Sequence, residues 1–300
     1  MKNSLRKTLL LTAWFCLTLS ATSLAQNIDF GRGEVLVKVP ASYEASEATP
    51  LIILLHGYTS SGQNQDSYFK VSDLADDYGF LFVAPDGIQE TSGAQNRFWN
   101  ASDACCNFFS AEVDDSAYIR SIIDEMKQRF NVDSNRVYLI GHSNGGFMSF
   151  RMAYEHSDSV AAIASLAGAN HLEEREAPPN PVHVLQIHGT NDETIGYQGG
   201  DIMNNRYPGA LNSVRRWADY NGCSQNGVGR ELRDDLVARA ELVLEVERRA
   251  EAAHAAVRHD ADAPAERVGL LHRVRREHDR AALLGDVDQR PHRALGLGVE

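Results

Sequence analysis

Gly141-His142-Ser143-Asn144-Gly145-Gly146 stands between an apolar run and a helix-like run, a setting in which a serine can become a nucleophile. So tight a turn strains the serine backbone, and glycines two before and two after it let strand and helix approach without side-chain clash. A serine hydroxyl is a weak nucleophile at neutral pH, so this chemistry needs a base in hydrogen-bond reach and an acid to orient that base. A Gly-rich turn with a capping serine is the bland alternative, and the strand before and helix after favour the nucleophile. Upstream, Leu54-Leu55-His56-Gly57-Tyr58 closes a second apolar run. The backbone N–H groups of Tyr58 and Asn144 are the candidates for stabilising a developing oxyanion. His56 sits beside that loop, where a structural hydrogen bond suits it better than the role of base, because the expected chain order is serine, acid, histidine. The acid is then Asp192, in the loop after Val184-Leu185-Gln186-Ile187-His188-Gly189, with Asp201 the weaker competitor. Asp114 and Asp115 read as the cap of a helix rather than as metal ligands.

These residues need a scaffold of alternating strands and helices. Glu34 to Val39 alternates like a half-buried strand, and Leu51 to Leu55 is a continuous apolar run suited to a central parallel strand. Asp73 to Tyr78 reads as a short helix, and Phe80 to Ala84 as a strand stopped by Pro85-Asp86-Gly87. A helix runs from Asp114 to about Phe130, with Ile119, Ile122, Ile123 and Met126 on one face. Arg136–Ile140, Val160–Leu166 and Val182–Ile187 are strands, and Gly145–Tyr154 and Leu211–Tyr220 are helices. This order predicts a doubly wound, mostly parallel α/β sheet without internal repeats. Arg97-Phe98-Trp99-Asn100 and Phe108-Phe109 form an aromatic-rich loop, in which Trp99 is the candidate substrate-binding residue; ordinary packing is the alternative.

In combination, the sequence resembles the secreted polyhydroxybutyrate depolymerase and feruloyl esterase-like branch of the α/β-hydrolases. The likeness rests on Leu-Leu-His56-Gly57, Trp99 with Ala104-Cys105-Cys106, Val113-Asp114-Asp115, the Ser143 motif, His188-Gly-Thr-Asn-Asp192, and Trp217 with Asn221-Gly222-Cys223. It covers about residues 30 to 224. The resemblance implies an extracellular serine esterase with Ser143 as nucleophile and Asp192 as acid, and no metal or organic cofactor. Polyhydroxyalkanoate, feruloyl and acetyl esters are the implied substrates, small or polymeric. A hydrolase-like protein inactive in this form and a peptidase of the same fold are the other readings. Such enzymes bring their histidine in a Gly-Gly-x-His-x-Trp-Pro-like loop after the last strand, and that segment is absent from this sequence. His254, His259, His272, His278 and His292 have neither flanking glycines nor tryptophan, so none is assigned as base.

The two ends of the chain differ from its middle. Lys2, Arg6 and Lys7 precede an apolar run from Leu9 to Leu19 that ends at Ser23-Leu24-Ala25, which predicts a signal peptide over residues 1–25 and a secreted or periplasmic protein. Residues 26–224 form the expected hydrolase domain. From Gly227 onward only ten residue types occur, without Lys, Ser, Thr, Ile, Phe, Tyr or Trp. These are types whose codons can begin with G or C, as a GC-rich gene gives when its third codon position is read as the first. Residues 225–300 are therefore read as an atypical, frameshifted tail, with the last strand, histidine loop and helix of the sheet missing; a genuine Ala/Arg/Glu-rich helix is the alternative. With Cys16 leaving in the signal, a bridge from Cys105 or Cys106 to Cys223 is expected, since neighbouring cysteines rarely close on each other. The net charge of −12 argues against a nucleic-acid partner, and no membrane contact is expected after signal removal. Nothing in the sequence points to an oligomeric state.

Overall fold

The computed structural model describes residues 24–224 and the backbone of 270–272. The expected signal run and the rest of the tail lie outside the described residues. The elements in chain order begin with β1 (Leu24–Asp29), β2 (Glu34–Val39), β3 (Thr49–Leu55), α1 (Gly62–Phe69), α2 (Ala75–Tyr78) and β4 (Leu81–Val83). A two-strand hairpin of β5 (Ile88–Gln89) and β6 (Arg97–Phe98) precedes α3 (Asp115–Arg129), β7 (Val132–His142), α4 (Asn144–Glu155), β8 (Ala162–Leu166) and β9 (His183–Ile187). A second hairpin, β10 (Gly199–Ile202) with β11 (Asn205–Pro208), leads to α5 (Ala210–Tyr220), and β12 (Leu270–His272) closes the series.

Among the described residues one sheet holds eight strands in the order β1-β2-β4-β3-β7-β8-β9-β12. The strands from β4 to β12 run parallel, and β1 and β2 form an antiparallel edge. This is the doubly wound, mostly parallel architecture that the order of elements predicts. β3 is buried along its whole length, as its unbroken apolar run requires. Its alternate residues serve opposite faces: Leu51, Ile53 and Leu55 pack with the apolar stripe of α3, with Phe147 and Phe150 of α4, and with Trp217 of α5. Ile52 and Leu54 pack on the other face with Val71, Ala75 and Phe80.

Three local differences from the sequence reading have physical causes. Helix α1 carries no apolar stripe to announce it; it is started by the Ser61 hydroxyl, which accepts the Asn64 N–H at 3.2 Å, and ended by Lys70 in the left-handed conformation. β7 begins earlier than expected, at Val132, across a register irregularity opposite Thr49 to Leu51 that absorbs its polar start. The sheet also has a strand where none was expected: Leu270, Leu271 and His272 pair with Leu185, Gln186 and Ile187. β9 leaves a row of unpaired backbone groups on its outer side, and the short apolar Leu270-Leu271 segment takes them up.

Candidate active site

The serine lies where strand β7 gives way to helix α4, with φ 52° and ψ −117°, a conformation that costs a non-glycine residue about 1–3 kcal/mol. Two backbone bonds hold it: Ser143 N–H donates to Leu166 O at 2.8 Å, and Phe147 N–H donates to Ser143 O at 3.0 Å. The surrounding glycines are required by contact with backbone. A Cβ on Gly141 would stand 2.1 Å from Gly145 O, and one on Gly145 would stand 2.2 Å from Leu55 O. Ser143 remains half-buried, at the carboxyl edge of the sheet.

Register brings the other elements to the same edge, for Leu55 is level with Gly141, Gly141 with Ser165, and Ser165 with Gln186. The loop after β3 therefore runs beside the serine, and a Cβ on Gly57 would lie 3.5 Å from Ser143 Cβ. Asn144 opens α4, so its N–H is one of the helix-start donors without an intrahelical acceptor. The Tyr58 N–H likewise donates to no acceptor among the described residues. That loop is fastened from its far side: the Tyr58 hydroxyl donates to Glu90, which is 4% exposed, and Asn96 Nδ2 donates to the Tyr58 hydroxyl at 3.2 Å. Burial, reinforced by Glu90, raises the Tyr58 pKa.

His56 is fully buried and structural, its Nδ1 donating to Gly57 O at 2.8 Å and its Nε2 accepting from Gly87 N–H at 2.9 Å. Burial lowers its pKa, so it is neutral in this role. Gln65, buried on α1, was invisible to a search for apolar periodicity. Its Oε1 accepts from Gly57 N–H at 3.2 Å and from His142 Nδ1 at 3.2 Å, tying the two loops together.

Asp192 lies in the loop after β9, its Oδ1 accepting from Thr194 N–H at 2.9 Å and Ile195 N–H at 3.0 Å. Burial lowers the pKa of His142, next to the serine, and the charge of Asp192 opposes that shift. Asp192 Oδ2 is 3.7 Å from Nε2 of His188, a ring already committed to Ile195 O at 2.7 Å and to Gln186 Nε2 at 3.0 Å. Asp201, the competitor, is exposed on the β10–β11 hairpin. Among the described residues no hydrogen bond joins a histidine to Ser143.

Two expectations are corrected. Trp99 does not line a cleft: it is fully buried, because Asn144 grips its backbone, accepting from Trp99 N–H at 2.7 Å and donating to Trp99 O at 2.9 Å. Its indole N–H donates to His56 O at 3.1 Å, so the ring braces the loop after β3. Of the aromatic loop, Phe109 is the exposed member. The bridge to Cys223 is also absent; the sulfurs of Cys105 and Cys106 touch each other instead. Their Cα atoms are 3.0 Å apart, short of the separation disulfides span, and we treat the pair as a contact beneath the loop that Asn144 holds. Asp114 caps α3, accepting Ala117 N–H at 3.0 Å, while Asp115 is buried against Arg32 at 2.5 Å.

A profile of the phospholipase/carboxylesterase family matches residues 41–235. Feruloyl esterase B of Piromyces equi is 29% identical over 200 residues, 64% of this chain and 36% of that protein. The bifunctional acetylxylan esterase/xylanase XynS20E of Neocallimastix patriciarum is 31% identical over 162 residues, 54% of this chain and 22% of that protein. Poly(3-hydroxyalkanoate) depolymerase C of Paucimonas lemoignei is 31% identical over 176 residues, 55% of this chain and 40% of that protein. The chain thus spans well under half the length of each of these relatives.

Proposed function

The chain belongs to the phospholipase/carboxylesterase family of α/β-hydrolases, and from that premise we propose that it is a secreted serine carboxylesterase acting on hydroxyalkanoate, feruloyl or acetyl esters. The observation that carries the reading is the strained backbone of Ser143, φ 52° and ψ −117°, beside the loop whose Tyr58 N–H has no acceptor among the described residues and at the start of the helix that Asn144 opens. In this reading Ser143 Oγ bonds to the ester carbonyl carbon and its proton passes to a base. The N–H groups of Tyr58 and Asn144 receive the oxyanion, an interaction worth about 3 kcal/mol per donor in a dry site. The carbon–oxygen bond to the alcohol then breaks, the alcohol leaves with the base's proton, and water releases the acid by the same route. Asp192 orients and stabilises the charged base.

We place the base in the tail. His272 is the first residue to test, because its backbone closes the strand beside β9, whose own loop carries Asp192. The competing reading, a hydrolase-like protein without a base, draws on the tail's ten-type composition and on the lack of a histidine bonded to Ser143 among the described residues. Stoichiometric labelling of the full chain by an active-site organophosphonate separates the two. Labelling that disappears in Ser143→Ala supports the esterase, and its loss in His272→Ala assigns the base. A folded chain that takes up no label sinks the esterase reading. Matched ester and amide substrates test the peptidase alternative, which amide turnover would support. Secretion is supported by the basic start, the apolar run and the Ser23-Leu24-Ala25 junction.

A further inference from the structure

Gly57 is the freest residue of the loop that runs beside Ser143. It has no side chain to restrict its backbone, and a Cβ placed on it would meet only ordinary contacts, 3.4 Å from His142 Nδ1 and 3.5 Å from Ser143 Cβ. The peptide that follows it carries the Tyr58 N–H, so the direction of that donor depends on what holds Gly57. Two donors hold its carbonyl, His56 Nδ1 at 2.8 Å and the Ser60 N–H at 3.1 Å. In a trans peptide the N–H lies opposite the C=O, so this grip turns the Tyr58 N–H the other way. The remaining handle is the Gly57 N–H, and its acceptor comes from another element: Gln65 Oε1 of α1, at 3.2 Å.

The same oxygen reaches the serine's neighbour in the chain. Gln65 Oε1 is 3.2 Å from Nδ1 of His142, the residue directly before Ser143. A backbone N–H can only donate, so the Gly57 bond fixes which end of the amide is oxygen. That oxygen can only accept, so the ring proton of His142 stands on Nδ1. Burial lowers the His142 pKa, against the charge of Asp192, which is consistent with a ring carrying one proton. One amide oxygen thus sets the position of Gly57 and the tautomer of His142.

Gln65 is a fixed acceptor. It is 3% exposed, and of the eight residues of α1 only Gly62 is buried with it, so this helix delivers an amide to the site rather than an apolar face to the core. Both ends of α1 are tied down. Gly62 N–H donates to Asp86 Oδ1 at 2.7 Å, and a Cβ on Gly62 would stand 2.0 Å from Ala84 O. Further along, Asp66 accepts from Ser72 N–H at 3.0 Å and from Ser72 Oγ at 2.5 Å. An acceptor ordered in advance loses no freedom when the site is used.

We infer that Gln65 is a positioning residue for the chemistry at Ser143, its one oxygen clasping the loop that supplies the Tyr58 N–H to the turn that supplies the nucleophile. The reaction it serves rests on the esterase reading; the clasp stands on the geometry. Gln65→Met keeps the unbranched shape and removes the acceptor, whereas Gln65→Glu keeps an acceptor. The full-length variants are compared, per folded molecule, by their rate of organophosphonate labelling and by hydrolysis of p-nitrophenyl acetate. Labelling is expected to slow roughly ten-fold or more in Gln65→Met and to return to within about three-fold of native in Gln65→Glu, with kcat falling and KM held. A role in packing alone lowers the denaturation midpoint of Gln65→Met but leaves the folded chain labelling at the native rate, and that result overturns the inference. A second measurement needs no variant: ring-nitrogen NMR of the native chain is expected to show the His142 proton on Nδ1, and a proton on Nε2 overturns the clasp. A folded native chain that takes up no label overturns the esterase reading and this inference together. A labelled native chain with Gln65→Met at the native rate overturns this inference alone.

Discussion

Asn144 opens helix α4 directly after Ser143, and its side chain holds Trp99 on both sides of the peptide. Asn144→Ala leaves a fully buried N–H and C=O unpaired, and we expect a loss of about 3 kcal/mol in urea unfolding with labelling at Ser143 reduced as well. Gly145→Ala tests the close approach to Leu55 O, which belongs to backbone and cannot swing aside. It should cost about 2 kcal/mol or more, measured as a lowered denaturation midpoint at unchanged slope. At this scale the sequence was informative wherever local geometry dictates residue type: only glycines tolerate the contacts around Ser143, and they announce the turn. Trp99 was misread because nothing in its own neighbourhood says that a distant asparagine turns the loop inward. A cavity beside Arg151 was invisible for the same reason, since its walls come from segments around residues 100, 151, 170 and 206.

Helix α3 shows how elements are tied into place. Its apolar face was readable from the spacing of Ile119, Ile122, Ile123 and Met126, and all four are fully buried. The cap at Asp114 was readable too, but the partner of Asp115 was not. That carboxylate, with no exposed surface, takes Arg32 from the β1–β2 turn and Asn100 N–H from the loop after β6. It joins three segments distant in sequence, so only the folded chain reveals the pairing. Removing one partner of a buried ion pair leaves an uncompensated charge, and Asp115→Ala should cost about 3 kcal/mol or more. The corresponding loss for Asp114→Ala is about 1 kcal/mol, as expected for a helix cap. Thermal unfolding of the two variants side by side checks the contrast; equal losses would contradict it. Helix α1 escaped the sequence reading because its one buried polar anchor, Gln65, leaves no periodic trace.

At the scale of the whole molecule, acid weakens the fold through its buried histidines. Burial lowers the pKa of His56, His142, His156 and His171, the last to about 4. A histidine whose folded pKa is depressed binds fewer protons in the folded than in the unfolded chain, so stability is present above the ordinary value near 6.5 and is lost as pH falls towards 4. His171 alone accounts for a loss on the order of 3 kcal/mol across that window. The melting temperature should therefore drop steeply between pH 6.5 and 4, and His171→Gln should flatten the drop. A melting temperature insensitive to pH in that range would contradict the assignment. Among the described residues no helix is long and apolar enough to cross a membrane.

The described residues hold two tryptophans, Trp99 and Trp217, and each is sealed from solvent, at 0% and 1% exposure. Trp99 lies with its ring centre 5.0 Å from that of His56, against the loop after β3, whereas Trp217 sits on α5 beside Phe150. The molecule thus carries its own optical gauge. Emission from an indole excluded from water is blue-shifted, and replacing Trp217 with phenylalanine leaves Trp99 as the described reporter. Its spectrum then follows the seating of the loop beside Ser143 directly, distinguishing a chain that has folded around this serine from one that has only collapsed.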